Sequence, residues 1–369
     1  MEENLKIKAK KYAKEKYTLA VADILYSAAL LVLFQFCGGS RFIAGLVSNA
    51  IKSYYALIAL YIFIITIVYA SLSLPLNLYR SFILEHKFNL STQNFKGWFI
   101  DFIKSLIISC IISLILTEAF YLILNMFPNF WWLVVAAFWV IFSVVLAKLT
   151  PVLLIPLFFK YKPLSDEILK ERILKLADKM KVKVVDVFEI DFSKKTAKAN
   201  AAFVGIGRTK RVILADTLKD KYSYDEIELI LAHEFAHYRL RHLLKLILIN
   251  SLFTIVLLYF IFISSRHVLN TFGWGQLNDI ANLPVILLYA LIFNVILGPL
   301  GNCLSRKFEK DADRLSLESS GFKEAFISLM NKLAEQNLAD ISPNKWIKWF
   351  FFDHPPISER IKIADAYKG

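Results

Sequence analysis

Tyr224 to Leu246 reads YDEIELILAHEFAHYRLRHLLKL, a run without glycine or proline that carries Asp225, Glu226 and Glu228 at its start and Arg239, Arg241 and Lys245 toward its end. Acidic residues first and basic residues last suit the helix dipole, so the run predicts a helix. Within it, His233-Glu234-Phe235-Ala236-His237 fills the pattern H-E-x-x-H. Histidines at i and i+4 share one helix face, so two imidazoles can converge on one zinc ion while Glu234 reaches the water beside it. The apolar run that begins at Leu243 makes this helix read as the cytosolic extension of a membrane helix, which puts the metal chemistry at a bilayer surface.

Working outward, the whole chain has a membrane composition. Its 369 residues are 57% hydrophobic and 20% charged, with a mean hydropathy of +0.51, outside the range of soluble globular domains. Six stretches are long enough to cross hydrocarbon: Tyr17 to Cys37, Tyr55 to Leu74, Phe102 to Asn125, Trp131 to Leu157, Leu244 to Ser264 and Leu283 to Cys303. The first is too long for a secretory signal peptide and lacks a small-residue cleavage site. A net charge of +13 invites a nucleic-acid reading. The lysines and arginines are instead distributed as the positive-inside rule demands, with six lysines before Tyr17 and an uncharged turn at Met126 to Phe130. Both termini, the stretch Arg80 to Asp101 and the large stretch Phe158 to His242 are therefore assigned to the cytoplasm, and nucleic acid is excluded as a partner. Trp131, Trp132 and Trp274 fall near the opposite interface. Cys37, Cys110 and Cys303 lie in or beside spans with no C-x-x-C pair, so they read as packing residues.

The chain then divides into a four-span membrane domain at 1–157, a catalytic segment at 158–243, a two-span hairpin at 244–303 and a second catalytic segment at 304–369. In the first soluble segment, Leu164 to Met180 reads as an amphipathic helix and Val182 to Ile190 as a strand. A hairpin follows, pairing Asn200 to Ile206 with Arg211 to Ala215 through 207–210.

A catalytic zinc needs a third protein ligand besides two histidines. The spans at 244–264 and 283–303 form an antiparallel hairpin that carries the chain into the bilayer a few residues after His237 and back a few residues before Glu309. At 1.5 Å per helical residue both motifs stand about 10 Å from one membrane boundary, which nominates Glu309. Asp313, one turn later, suits the free N–H of a ligand histidine. His242 resembles a third ligand, but the extended metzincin pattern needs Gly at 240 and His at 243, where leucines stand, so His242 reads as a packing or interfacial residue off the ligand face. His86 reads as a packing residue too, and Arg306 and Lys307 as the cytoplasmic end of the last span. Near the end, Pro355 and Pro356 stiffen the backbone after Asp353-His354, so that His354 could donate to an oxyanion.

These residues resemble the Ste24-type CAAX prenyl proteases of the M48 gluzincin peptidases. Besides HEFAH, the likeness includes LYRSFILEHKF at 78–88, TPVLLIPLFFKYKPL at 150–164, ANAAFVGIGRTKRVILADTL at 199–218, SRKFEKDADRLSL at 305–317 and HPPISER at 354–360. Together with the six spans and the orientation read above, it implies a mainly α, polytopic helical membrane protein with a small α+β zincin-like catalytic domain on the cytoplasmic side. It further implies a zinc endopeptidase with one Zn2+ per chain, bound by His233, His237 and Glu309. Glu234 would be the general base and later proton donor, Asp313 the support of a ligand histidine, and His354 the transition-state donor. Asn200 and Ala201 would lie on an edge strand that pairs with substrate, and Arg360 would contact a substrate carboxylate. The partners implied are a peptide or protein substrate, prenylated or not, and membrane lipid. The family's eukaryotic members look like seven-span proteins and this chain begins where their second span would, so any intramembrane chamber must close with six helices or keep a gap. The alternatives are a membrane-protein quality-control metallopeptidase and, from another class, a catalytically inactive channel or scaffold. A composition rich in Lys, Ile and Phe favours a prokaryotic cytoplasmic membrane, with the endoplasmic reticulum membrane expected for a eukaryote.

Overall fold

The computed structural model describes residues 3–205 and 210–367. In chain order, α1 (Glu3–Phe36), α2 (Gly39–Ala50), α3 (Tyr54–Lys87), α4 (Phe95–Met126) and α5 (Trp131–Phe158) come first. A soluble layer follows, made of β1 (Tyr161–Pro163), α6 (Glu167–Lys179), β2 (Asp186–Ile190), β3 (Ala201–Val204), β4 (Arg211–Ala215) and α7 (Tyr224–Arg239). Then come α8 (His242–Thr271) and α9 (Leu283–Ser320), and finally α10 (Lys323–Gln336), α11 (Lys345–Phe351) and α12 (Ile357–Ala366). Helices α1, α3, α4, α5, α8 and α9 are long and apolar enough to cross a membrane, and together they contain the six apolar runs apart from Cys37 at the end of the first.

Where the structure departs from the sequence reading, the reasons are local. The zinc-motif helix is not continuous with the membrane helix after it. Helix α7 stops at Arg239, Arg241 adopts a left-handed conformation at φ 56, and α8 starts afresh at His242. The amphipathic helix begins later than read because Asp166 caps it, accepting from Leu169 N at 3.0 Å. The strand before the hairpin is confined to Asp186–Ile190. Short α2 and β1 carried no distinct pattern; β1 is an edge strand with Pro163 in it, where proline's missing donor is tolerated.

The sheet runs β1-β2-β4-β3, parallel only between β2 and β4. In the hairpin Ala201 pairs with Leu214 and Val204 with Arg211, Gly205 lies past the end of the strand, and 206–209, the last residue of the anticipated strand and most of its turn, lie outside the described residues. Helix α7 packs on this sheet through Phe235, whose ring meets Phe203 edge-on at 5.2 Å. Leu231, Ala232, Phe235 and Ala236 are wholly buried. A capping box starts the helix: Ser223 accepts from Glu226 N, and Glu226 accepts in turn from Ser223 N. Buried Glu226 also accepts from Ser328 and Lys332 of α10, so one carboxylate joins both soluble segments.

The connections sort to two ends of the bundle. At one end, Thr92 N donates to Lys195 O at 3.2 Å and Lys87 pairs with Glu15, placing the start of α1 and the α3–α4 loop against the soluble layer. At the other, Ser40 donates to Ala281 O at 2.6 Å and Arg41 to Trp274 O at 2.8 Å. With the basic end inside, single cysteines at Asn129 and Asn278 are expected to react with an impermeant maleimide on intact cells. Those at Glu2, Lys194 and Lys368 should react only after lysis, though Glu2 and Lys368 lie outside the described residues. Labelling of Lys194→Cys from outside would invert the arrangement.

Candidate active site

Helix α7 presents His233 and His237 on one face, and α9 brings Glu309 to meet them. His233 Nε2 lies 3.1 Å from His237 Nε2, while Glu309 Oε2 is 3.2 Å from His233 Nε2 and Glu309 Oε1 is 3.2 Å from His237 Nε2. Zinc bonds of 2.0–2.1 Å place the corners of a tetrahedral site about 3.3 Å apart, and one ligand atom from each of the three residues lies within 4.8 Å of the others, close enough to converge on one ion. Buried Glu309 Oε2 has no hydrogen-bond partner, as suits a group meant for a cation. The donors therefore fit zinc.

The surroundings fix each ligand. His233 Nδ1 donates to Asp313 Oδ1 at 2.9 Å, leaving Nε2 free for a metal. Asp313 is wholly buried and also accepts from Arg360 Nε at 2.8 Å and Nη2 at 2.6 Å. Burial by itself lowers the His233 pKa, yet the Asp313 and Glu309 carboxylates beside it outweigh this and push the group up to about 9. The two carboxylates thus favour positive charge at this spot. His237 has a different neighbour, His242, whose Nδ1 lies 3.0 Å from His237 Nδ1. His242 is 1% exposed, so it is no interfacial residue and does not turn away from the ligand helix as the continuous-helix reading required.

Glu234, half-buried, lines the groove beside His233 together with Asn200, Ala201, His354 and Arg360. Asn200 precedes β3 and Ala201 opens it. Asn200 O accepts from Ala215 N at 3.1 Å, so by antiparallel alternation Ala201 and Phe203 turn their N–H and C=O to the open side of the edge strand. The approach to β3 is held from both domains. Ala199 N donates to Asn337 Oδ1, and Lys198 pairs at 2.7 Å with Glu85 of α3, which also accepts from Tyr12 of α1.

His354 stands at the mouth, its side chain 55% exposed, with Nε2 3.4 Å from Glu309 Oε1. Its Nδ1 donates to Asp353 at 2.9 Å, and that hydrogen bond raises its pKa, keeping the ring a donor. Arg306, read from sequence as a membrane-boundary charge, is buried and donates to Lys348 O and Phe352 O, so it anchors the loop that carries His354. His86 donates to or accepts from nothing in the site; its Nδ1 lies against Phe82 O one turn back. Asn200, Ala201, His233, Glu234, His354 and Arg360 thus line one groove, and His237, Glu309 and Asp313 adjoin it through His233. Arg306 and His242 were the omissions: an Arg after a span carries a stronger topological signal, and the break at Arg241 leaves no mark in the sequence.

Comparison with known proteins gives the family. Residues 163–368 match peptidase family M48, and residues 1–160 match the CAAX prenyl protease N-terminal family, described as having five membrane helices. An uncharacterized metalloprotease of Bacillus subtilis, YhfN, is 29% identical over 97% of this chain and 84% of its own. CAAX prenyl protease 1 of Saccharomyces cerevisiae is 31% identical over 79% of this chain and 68% of its own. The crystal structure of S. mikatae Ste24p has the same fold, with a TM-score of 0.89, 24% identity, and coverage of 99% of this chain and 90% of that one.

Proposed function

The chain belongs to peptidase family M48 and is a membrane zinc metallopeptidase; from that premise we propose that it cleaves an extended peptide laid along the free edge of β3, with Glu234 as the general base. The observation that carries this reading is the meeting of the His233, His237 and Glu309 donors beside a groove that Glu234 and Ala201 line. Zinc held there would supply a Lewis acid and lower the pKa of a bound water. Glu234 takes the proton from the attacking water and returns it to the leaving amine. His354, oriented by Asp353, donates through Nε2 to the oxyanion. Asp313 fixes His233, and Arg360 holds Asp313 through Nε and Nη2, so any contact of Arg360 with a substrate carboxylate falls to the remaining N–H groups of Nη1 and Nη2. The substrate pairs with the outward N–H and C=O of Ala201 and Phe203, a mode that reads backbone rather than side chains.

Substrates of CAAX type, ending near a prenylated cysteine, are the ones we assign, processed on the cytoplasmic face of the membrane. The experiment compares a C-terminal CAAX peptide with and without its farnesyl group, using purified protein in lipid discs, with and without a zinc chelator. Chelation is expected to abolish cleavage of either peptide. A preference for the farnesylated one supports the CAAX assignment, and equal cleavage favours a general quality-control peptidase. Ala201→Pro, which deletes the outward N–H, is expected to raise KM by about fivefold or more, the equivalent of roughly 1 kcal/mol of lost pairing. Normal cleavage by Ala201→Pro protein would move the substrate path away from β3.

A further inference from the structure

We propose that His242 is a positioning residue for the metal site: it accepts a hydrogen bond from His237 Nδ1–H and thereby fixes the tautomer and ring plane of that ligand. In a continuous helix a residue five places after His237 would lie on another face. The break at Leu240-Arg241 changes this. Arg241 occupies the left-handed region at φ 56, a conformation that costs a non-glycine residue on the order of 1 kcal/mol, and it restarts the chain so that His242 folds back against His237. The ring is then locked from the other side. It stacks on Phe308, immediately before Glu309, with centroids 4.6 Å apart and planes 16° apart.

Proton placement follows from the contacts. His237 Nε2 faces His233 and Glu309, so as a ligand atom it carries no hydrogen. The ring's one proton is then on Nδ1, pointing at His242 Nδ1 3.0 Å away. His242 must present a bare Nδ1 and keep its own proton on Nε2, which is buried without a hydrogen-bond partner. The reverse arrangement, with His242 Nδ1–H donating, would force the His237 proton onto Nε2 and close the metal site. The two ligand histidines are thus supported differently, His233 by a carboxylate and His237 by a neutral imidazole.

The inference rests on His237 being a ligand, and the test separates the two. Zinc affinity is measured by chelator competition on wild-type, His242→Phe and His242→Asn protein, with the melting temperature of each metal-free form as the check on folding. Phenylalanine keeps the stack on Phe308 and removes the acceptor, whereas asparagine places Oδ1 about where Nδ1 stands. Loss of an outer hydrogen-bond partner weakens metal binding about 10- to 100-fold, so His242→Phe is expected to fall in that range and His242→Asn to stay within about threefold of wild type. Wild-type affinity in His242→Phe, or equal loss in both variants, would overturn the proposal and leave His242 a packing residue. If His242→Phe does not fold, His242→Gln replaces it, its acceptor one carbon too far; equal affinity for His242→Gln and His242→Asn is then the overturning result. Wild-type protein that binds no zinc would instead refute the ligand assignment itself.

Discussion

Glu234→Gln protein is expected to fold and hold its metal like the wild type while turnover drops by about 10² to 10⁴ or more, the loss that follows removal of a general base. Glutamine has the same shape but cannot accept a proton. The separation of binding from chemistry is set by geometry: the cluster of donors is His233, His237 and Glu309, and Glu234 lies outside it on the groove wall. The helix beneath has no reason to move, because Phe235 and Ala236 are wholly buried against the sheet on its other side. The measurement is kcat on an accepted peptide, alongside metal content by elemental analysis. Cleavage at the wild-type rate by this variant would assign the base elsewhere, and loss of metal would give Glu234 a different role.

How far the site was legible depends on whether its geometry is local. The H-E-x-x-H face needs only helical periodicity, and the nomination of Glu309 needs only that two antiparallel spans return the chain to one depth. The structure brings these groups together: His233 Nε2 and His237 Nε2 lie 3.1 Å apart on α7, and each faces one oxygen of Glu309 on α9 at 3.2 Å. Alternation and turn chemistry likewise foretold β3 and β4. What stayed hidden depends on contacts between distant residues or on a backbone angle without a residue type to announce it. Asp313 and Arg360 are 47 positions apart, and only folding shows that the arginine holds the carboxylate that holds His233. The left-handed Arg241 is the sharper case. Glycine or asparagine would have marked a helix end there, whereas arginine does not, and the run from Tyr224 to Leu246 reads as one helix although tertiary packing divides it in two. The same packing turns His242 from an off-face residue into the neighbour of a ligand.

Glu309→Ala protein is expected to lose its zinc, from one ion per chain in the wild type to a small fraction after dialysis against buffer with trace zinc, and all activity with it. Two histidines on one helix leave a catalytic zinc without its third protein ligand. Neither nearby histidine is placed to substitute. His242 Nδ1 faces His237 Nδ1, and its Nε2 is buried away from the three donors. His354 comes nearer, with Nε2 3.4 Å from Glu309 Oε1, but its ring is held through Nδ1 by Asp353 on an exposed loop. The fold should survive, because buried Glu309 is held mainly by the two ligand histidines, while the soluble segments remain joined by Glu226 with Ser328 and Lys332. Metal content by elemental analysis and the melting temperature of the metal-free protein check both halves of the expectation. Near-full zinc occupancy with activity intact after Glu309→Ala would strike Glu309 from the ligand set and, since His242 is turned away, leave His354 as the third ligand, which a His354→Ala change in the same background would then have to strip of its metal.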